Sequence, residues 1–216
     1  MTVVSGATTG LLALSYAARL LRSARCAALL CGAAEEFSTQ RSWLTSRLRH
    51  GDATADPLGE GCAMFLLELA SHARRHGRGA LASVLATRFV SHSGSAGARE
   101  TMVRCAADAL ASAGVAPDQV RLVATSDIEG TPGKEEQAAL ADVLPPETVT
   151  GTGWEVLETR RLLGDTATAA GAFQLVAVLA AARDRPALDG TVALVTSLDP
   201  TGDAGCAVLR IYPEGR

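Results

Sequence analysis

The residues best placed for chemistry lie near the start of the chain, in the segment SGATTG at positions 5–10, called the elbow below. Apolar β-branched residues precede it and a helical pattern follows, which predicts a strand, a glycine-flanked turn and a helix N-terminus. The positive end of a helix dipole stabilises a nucleophilic anion held at such a turn. The central residue is Ala7, whose methyl group cannot attack a substrate. The hydroxyl groups of Ser5, Thr8 and Thr9 are predicted to cap the helix and bond the turn.

The composition restricts the function to that of a globular protein with no electrostatic preference for nucleic acid. The chain has 216 residues, 48% of them hydrophobic, and a formal net charge of -3, whereas nucleic-acid binders carry basic patches and a high pI. The N-terminus lacks a signal-peptide pattern, and the apolar runs are too short or too interrupted to cross a bilayer. We therefore expect a cytoplasmic protein without a membrane segment.

The cysteines and histidines do not have the spacing of metal ligands. No two of the five cysteines are spaced as metal ligands, so we expect reduced thiols, with Cys62 and Cys206 in the core rather than in catalysis. The four histidines lie in polar stretches, which favours solvated surface positions over metal binding. The sequence predicts no cofactor and no metal.

Apolar periodicity predicts the elements that must position these residues. Helices are expected over 11–23, 100–114, 133–144 and 166–183, the last buried nearly all round. Strands are expected at 3–5, at 26–31 with both faces buried, at 62–69 and 81–89 as neighbours, and at 120–124, 192–196 and 206–211. Residues 35–59 are expected to form an irregular surface excursion. Alternating helices and buried strands predict a layered α/β architecture.

Five motifs occur in an order that resembles the β-ketoacyl synthases of the thiolase-fold superfamily. After the elbow come CAALLCGAAEE, GEGCAMFLLE, TMVRCAADALASAGVAPDQVRLV and GDTATAAGAFQLV. The resemblance implies a thiolase-like layered fold with helices packed on mixed buried β-sheets. It also implies one domain over 1–216, in which 1–80 is the remainder of the N-terminal half and 81–216 is the C-terminal half. The first part of the N-terminal half is then lacking, which leaves an open sheet edge and an uncovered apolar face.

The resemblance implies that the catalytic positions of the family have all changed. Family members use a cysteine nucleophile at the elbow and two histidines that stabilise a thioester enolate. The cysteine position corresponds to Ala7, the first histidine to Asp127 or a neighbour, and the second to Asp165. Because a carboxylate repels an enolate, condensation is not expected at this site. Aspartate and threonine also stand where the family has the aromatic residue of its gating turn, at 199–205.

The pattern is closest to the chain-length-factor subunits of type II polyketide synthases. Their nucleophile region reads VVSGQ-x-G and their first histidine turn reads D-x-x-G-x-P, similar to VVSGATTG and to residues 127–132 here. Ala7 departs from the glutamine usual in that branch. The resemblance implies a non-catalytic subunit that pairs with an active ketosynthase, or with a chain supplying the absent half, and shapes the acyl channel. The positions it implies for the interface or channel are Ser5, Thr8, Thr9, Gly10 and Leu11.

Two further functions remain open from the sequence. Asp127, Glu129 and Asp165 come from segments that converge in the family fold, so they could serve as acid and base in a rebuilt enzyme or pair with nearby cations. The basic segment with Arg74, Arg75 and Arg78 could instead bind an acyl carrier protein, whose surface is acidic.

Overall fold

The computed structural model describes residues 2–48, 56–91, 97–145, 153–199 and 202–212. Its helices are α1 (Thr9–Arg22), α2 (Thr39–Leu48), α3 (Ala70–Arg75), α4 (Ala98–Ala113), α5 (Thr131–Val143), α6 (Arg160–Leu163) and α7 (Ala170–Arg183). Its strands are β1 (Ala28–Glu35), β2 (Gly61–Glu68), β3 (Ala82–Ser91), β4 (Val120–Ala124), β5 (Glu155–Leu157), β6 (Val192–Asp199) and β7 (Asp203–Ile211).

The central element is a mixed five-stranded sheet with the order β3-β7-β6-β4-β5. β3 and β7 pair antiparallel, as do β7 and β6, whereas β4 runs parallel to both β6 and β5. Every residue of β6 is buried, because helices cover both faces of this strand. The predicted mixed, buried sheet is confirmed.

Strand alternation divides the hydrophobic core into two layers, one on each face of the five-stranded sheet. Leu194 and Leu198 of β6 pack with α4 and α5 on one face. Ala193 and Val195 pack with α1 and α7 on the other. Beyond α1 and α7 lies the second sheet, β1 with β2, so the layers run helix, sheet, helix, sheet.

The second sheet consists of β1 and β2 paired antiparallel, and one of its faces is open. Leu30, Met64 and Leu66 are 68%, 58% and 55% exposed on that face. The prediction that residues 26–31 are buried on both faces is therefore wrong, because α1 and α7 cover the inner face alone. The expected uncovered apolar face is present, and we call these three side chains the open face.

Three other predictions about elements need correction. Residues 3–5 form no strand, since no described strand lies beside them, and Val4 is 74% exposed. β2 and β3 are not neighbours, because α3 carries the chain from the small sheet to the edge of the large one. Residues 39–48 of the supposedly irregular excursion form α2, in which no residue is buried.

Two predictions about burial also fail. α7 is not buried nearly all round, since it lies between the two sheets but leaves Val176 40% exposed, and the three residues before it form a 3₁₀ turn. Cys62 is exposed because its place in β2 puts it on the same side as Met64, whereas Cys206 is buried as predicted.

Candidate functional site

The elbow forms a tight turn that its own hydroxyl groups hold closed. The hydroxyl of Thr8 donates to the Ser5 carbonyl at 2.8 Å, and that of Thr9 donates to the Gly6 carbonyl at 2.7 Å. The Ser5 N–H in turn donates to the Thr9 hydroxyl at 2.8 Å. Gly6 has a φ of +48°, a left-handed conformation that glycine adopts without strain. The hydroxyl groups of Thr8 and Thr9 bond the turn, as predicted, but Thr8, the N-cap residue of α1, makes no side-chain capping bond, so the capping prediction is wrong there.

Two aspartates at the junction of β6 and β7 contact the elbow. The Ala7 N–H donates to Oδ2 of Asp199 at 2.9 Å, and the Ser5 hydroxyl donates to Oδ2 of Asp203 at 2.9 Å. A Cβ atom on Gly6 would lie 1.6 Å from the same Oδ2 of Asp199, so this approach requires glycine. The sequence indicated only that an aspartate and a threonine stand where the family has an aromatic residue. The contact between Asp199 and Ala7 was not predicted, because 192 positions separate the two residues.

A cavity of about 220 Å³ opens beside the elbow. Ala7, Asp199, Asp165 and Arg160 are among the residues that line it. Its remaining lining residues are Gly6, Ser126, Ile128, Ala167, Ala170 and Ser197. The structure thus brings together Ala7 and Asp165, two of the positions where the resemblance implied lost catalytic groups.

The carboxylate of Asp165 is fixed by cations and by the backbone. Its Oδ2 lies 3.1 Å from Nη2 of Arg160, and its Oδ1 accepts the Ala167 N–H at 3.0 Å. Arg41 approaches Oδ1 at 4.0 Å, and Asp56 is bound to the same Arg160. This partly buried network of ion pairs and a backbone hydrogen bond holds Asp165 in place at the cavity lining.

Asp127 and Glu129 do not join Asp165 at the cavity lining. Asp127 has a φ of +50°, and its Oδ2 accepts the Arg161 N–H at 3.1 Å, near the start of α6. Burial raises the pKa of Asp127 above its ordinary value, and the bond from Arg161 opposes the rise. The Glu129 side chain is exposed. In this turn, the residues that line the cavity are Ser126 and Ile128.

A buried carboxyl group that sequence reasoning missed lies behind the cavity. Glu136 of α5 is 1% exposed. It accepts the Ser126 N–H at 3.1 Å, the Ser126 hydroxyl at 3.2 Å and the Thr196 hydroxyl at 2.6 Å. Burial raises the pKa of Glu136 to about 7, although these hydrogen bonds oppose the rise. Its position three residues after Gly133 and four before Leu140, both buried, was the available signal.

The positions expected at the interface or channel lie mostly inside the chain. Thr8, Thr9, Gly10 and Leu11 are buried, and Ser5 is half-buried. Leu11 is completely covered and belongs to the core between α1 and α7. Thr8, Thr9, Gly10 and Leu11 therefore pack mainly within this chain, although Thr9 also lines a groove beside α1.

The basic segment is divided between a structural and an exposed part. Arg78 donates from Nε and Nη2 to both carboxylate oxygens of Glu68, at 2.8 and 2.6 Å, and His72 bonds the same carboxylate. These bonds lower the pKa of Glu68 to about 2. Arg74 and Arg75 are exposed, and neither belongs to an ion pair of the described residues.

Within the described ranges, no helix is long and apolar enough to cross a membrane. The same ranges hold no cluster of three or more histidine, cysteine, aspartate or glutamate side chains suited to a metal ion.

Helices on a mixed, buried sheet and an elbow beside a small cavity define a thiolase-like α/β protein. Residues 81–188 match the family model of the β-ketoacyl synthase C-terminal domain. The chain belongs to the β-ketoacyl synthase family.

Solved structures support the same assignment. The chain is similar to a chain of the ishigamide ketosynthase/chain length factor, with 36% identity, a TM-score of 0.86 and coverage of 98% of this chain and 56% of that one. A type II polyketide synthase acyl-carrier protein in complex with its ketosynthase gives a TM-score of 0.79 at 19% identity, covering 96% of this chain and 62% of that one. The ketosynthase from module 6 of the bacillaene synthase of Bacillus subtilis 168 gives a TM-score of 0.83 at 15% identity. The match covers 96% of this chain and 46% of that one.

The likeness to the last two structures concerns the fold alone. The chain spans 56% of the ishigamide chain and 46 to 62% of the other two. No curated protein matches it.

Proposed function

We propose that this chain is a catalytically degenerate ketosynthase-like subunit, similar to chain-length factors, that works in the cytosol. It pairs with an active ketosynthase in polyketide or fatty-acid-like biosynthesis and helps to shape the acyl channel. The observation that carries the proposal is Ala7, whose methyl group stands at the cavity beside the N-terminus of α1. No acyl group can be transferred to that side chain.

The charge of the cavity supports a non-catalytic role. Asp165 and Asp199 both line it, so a developing enolate would meet carboxylates where charge stabilisation requires hydrogen-bond donors or cations. Arg160 also lines the cavity, but its guanidinium group is already paired with Asp165 and Asp56, so its positive charge is shared with these two carboxylates. The 36% identity to a chain of a ketosynthase/chain length factor structure favours the same function.

The open face supports pairing with another polypeptide. It presents Leu30, Met64 and Leu66 next to a groove of about 500 Å³ between residues 2–4, α1 and β1. Contiguous exposed apolar side chains of this kind mark interaction surfaces. A partner that covers this face would bury the outer side of β1 and β2.

Acyl transfer tests the catalytic part of the proposal. The chain and an active ketosynthase are each incubated with an acyl thioester of a carrier protein, and intact and peptide masses are measured. We expect the ketosynthase to gain the acyl mass and this chain to gain none at the elbow or cavity. An acyl group mapped to a cavity residue such as Ser126 or Ser197 would contradict the proposal.

A rebuilt acid–base enzyme is the second candidate, and its carboxylates are already engaged. Asp127 binds the backbone at α6 and Asp165 is paired with Arg160. We expect Asp127→Asn and Asp165→Asn to leave product formation by the reconstituted subunits unchanged within about twofold. A loss of 100-fold or more in product formation, with the complex still assembled, would support the enzyme instead.

The exposed arginines predict a role in carrier-protein binding. We expect the double change Arg74→Ala with Arg75→Ala to raise the Kd for an acidic carrier protein by about fivefold at low salt, since two rim charges contribute about 1 kcal/mol. Fluorescence anisotropy with a labelled carrier protein measures this. Arg22→Ala, another exposed arginine, is the matched control; equal Kd values for the double variant and the control would exclude this surface.

A further inference from the structure

We propose that Asp199 is a built-in anion for the N-terminus of α1, and that its carboxylate closes the elbow to acyl thioesters independently of the missing nucleophile. The inference rests on the proposed non-catalytic role and adds a second, separate cause for it. Ala7 removes the attacking group, while Asp199 occupies the hydrogen-bond donor that the reacting carbonyl would need.

The contact has the geometry of a bound anion. Oδ2 of Asp199 lies 2.9 Å from the nitrogen of Ala7, which directly precedes Thr8, the N-cap residue of the 14-residue helix α1. The Ala7 N–H precedes the helix, and the positive end of the helix dipole lies next to it, so a negative charge bound to this N–H is favoured. Here the anion comes from the chain itself and is 92% buried, since Asp199 is 8% exposed.

The surrounding turn holds the carboxylate in that position. Asp199 ends β6, and its backbone carbonyl accepts the Gly202 N–H at 3.1 Å. Asp203 at the start of β7 anchors the other side through the hydroxyls of Ser5 at 2.9 Å and Ser91 at 3.1 Å. Gly6 leaves the space, because its missing Cβ would overlap Oδ2 of Asp199.

A carboxylate at this point has two chemical consequences. It competes with a thioester carbonyl oxygen for the Ala7 N–H, which removes oxyanion stabilisation. It also places a negative charge beside the central side chain of the elbow, which would disfavour a thiolate there. Restoring a cysteine alone should therefore not restore a reactive nucleophile.

The experiment introduces the thiol and then removes the charge. Ala7→Cys is prepared alone and together with Asp199→Asn, and the rate of alkylation by iodoacetamide is followed against pH at that position by peptide mass spectrometry. With Asp199 present, we expect the introduced thiol to have a pKa above the ordinary value of about 8.5. With asparagine, the helix N-terminus should lower that pKa by about one unit or more and speed alkylation at pH 7 about tenfold.

Controls separate charge from structure and from the proposed function. Asp203→Asn in the Ala7→Cys background removes a neighbouring charge that does not contact the Ala7 N–H, and asparagine keeps an oxygen acceptor for the Ser5 hydroxyl, so we expect a change in rate below about threefold. If the double variant does not fold, the pKa of the thiol in the Ala7→Cys single variant tests the proposal. A value above about 8.5 would support it, and a value below about 8 would overturn it. Equal pH profiles with and without Asp199 would also overturn it. Since no ketosynthase is present in this assay, failure of subunit pairing leaves the result unaffected.

Discussion

Replacing Glu136 by glutamine is expected to remove most of the pH dependence of stability between pH 5 and pH 8. The pKa of this carboxyl is raised to about 7 in the folded protein, from 4.5 when solvated. Between those two values the unfolded chain releases the proton and the folded chain keeps it. The contribution of this carboxyl to stability is therefore full below pH 4.5, falls as the pH rises to 7 and is lost above. The difference corresponds to about 3 kcal/mol.

Urea unfolding at pH 5, 6, 7 and 8 measures this effect. The glutamine side chain keeps an acceptor for the Ser126 N–H but cannot ionise. The unfolding free energy of the Glu136→Gln variant should therefore stay nearly constant from pH 5 to pH 8. Glu135→Gln, on the neighbouring and less buried residue of α5, is the matched control and should retain the wild-type decline. Parallel curves for wild type and Glu136→Gln would show that folding does not raise the pKa of this carboxyl.

Replacing Gly10 by alanine is expected to lower the free energy of unfolding by about 2 to 3 kcal/mol. A Cβ atom at Gly10 would lie 2.5 Å from the Ala172 nitrogen and 2.9 Å from the Gly171 carbonyl carbon. Both are backbone atoms of α7, so the two helices must separate rather than a side chain turn away. This overpacking outweighs the gain of about 1 kcal/mol that alanine brings to a helix.

Gly97→Ala is the comparison for that substitution. The Cβ atom added there would meet only the Thr101 hydroxyl, at 3.9 Å, so we expect a cost below about 1 kcal/mol. Denaturant unfolding of both variants gives the two values. If Gly10→Ala costs no more than Gly97→Ala, the close contact between α1 and α7 does not contribute to stability.

Local patterns were sufficient to predict much of the fold. β4 occupies 120–124 as predicted, and α4 differs from its predicted bounds by one or two residues. Apolar runs at 192–196 and 206–211 correctly indicated strands, which the structure extends to Asp199 in β6 and back to Asp203 in β7. These features depend on periodicity within one segment, which the sequence displays directly.

Features that depend on a neighbour were not predictable in this way. Residues 3–5 have strand-forming side chains but no described strand to pair with, and β1 has strand residues whose outer face nothing described covers. Arg78 belongs to a basic run, yet its partner Glu68 lies ten residues earlier on β2. The propensity of a segment indicates which secondary structure it can form, but the neighbours that pair with it or cover it depend on the whole fold.

The candidate site shows the same division. The absence of a nucleophile at Ala7 was visible in the sequence. The bond from Ala7 to Asp199 was not visible, because it joins distant segments. The burial of Glu136 was missed because its neighbours are polar, although its spacing from Gly133 and Leu140 places it on their helix face. Both contacts exist only once α1, α5 and the end of β6 meet at the cavity.

Co-purification tests the central claim, that this chain works as a partner subunit, most directly. The chain is co-expressed with a ketosynthase that carries its cysteine nucleophile, and the product is analysed by affinity capture and size-exclusion chromatography. We expect one complex containing both chains, weakened by the double change Leu30→Ser with Leu66→Ser on the open face. Leu162→Ser, which alters an 84% exposed leucine of α6, should leave the complex intact. Elution of this chain as a separate, well-folded monomer would contradict the account.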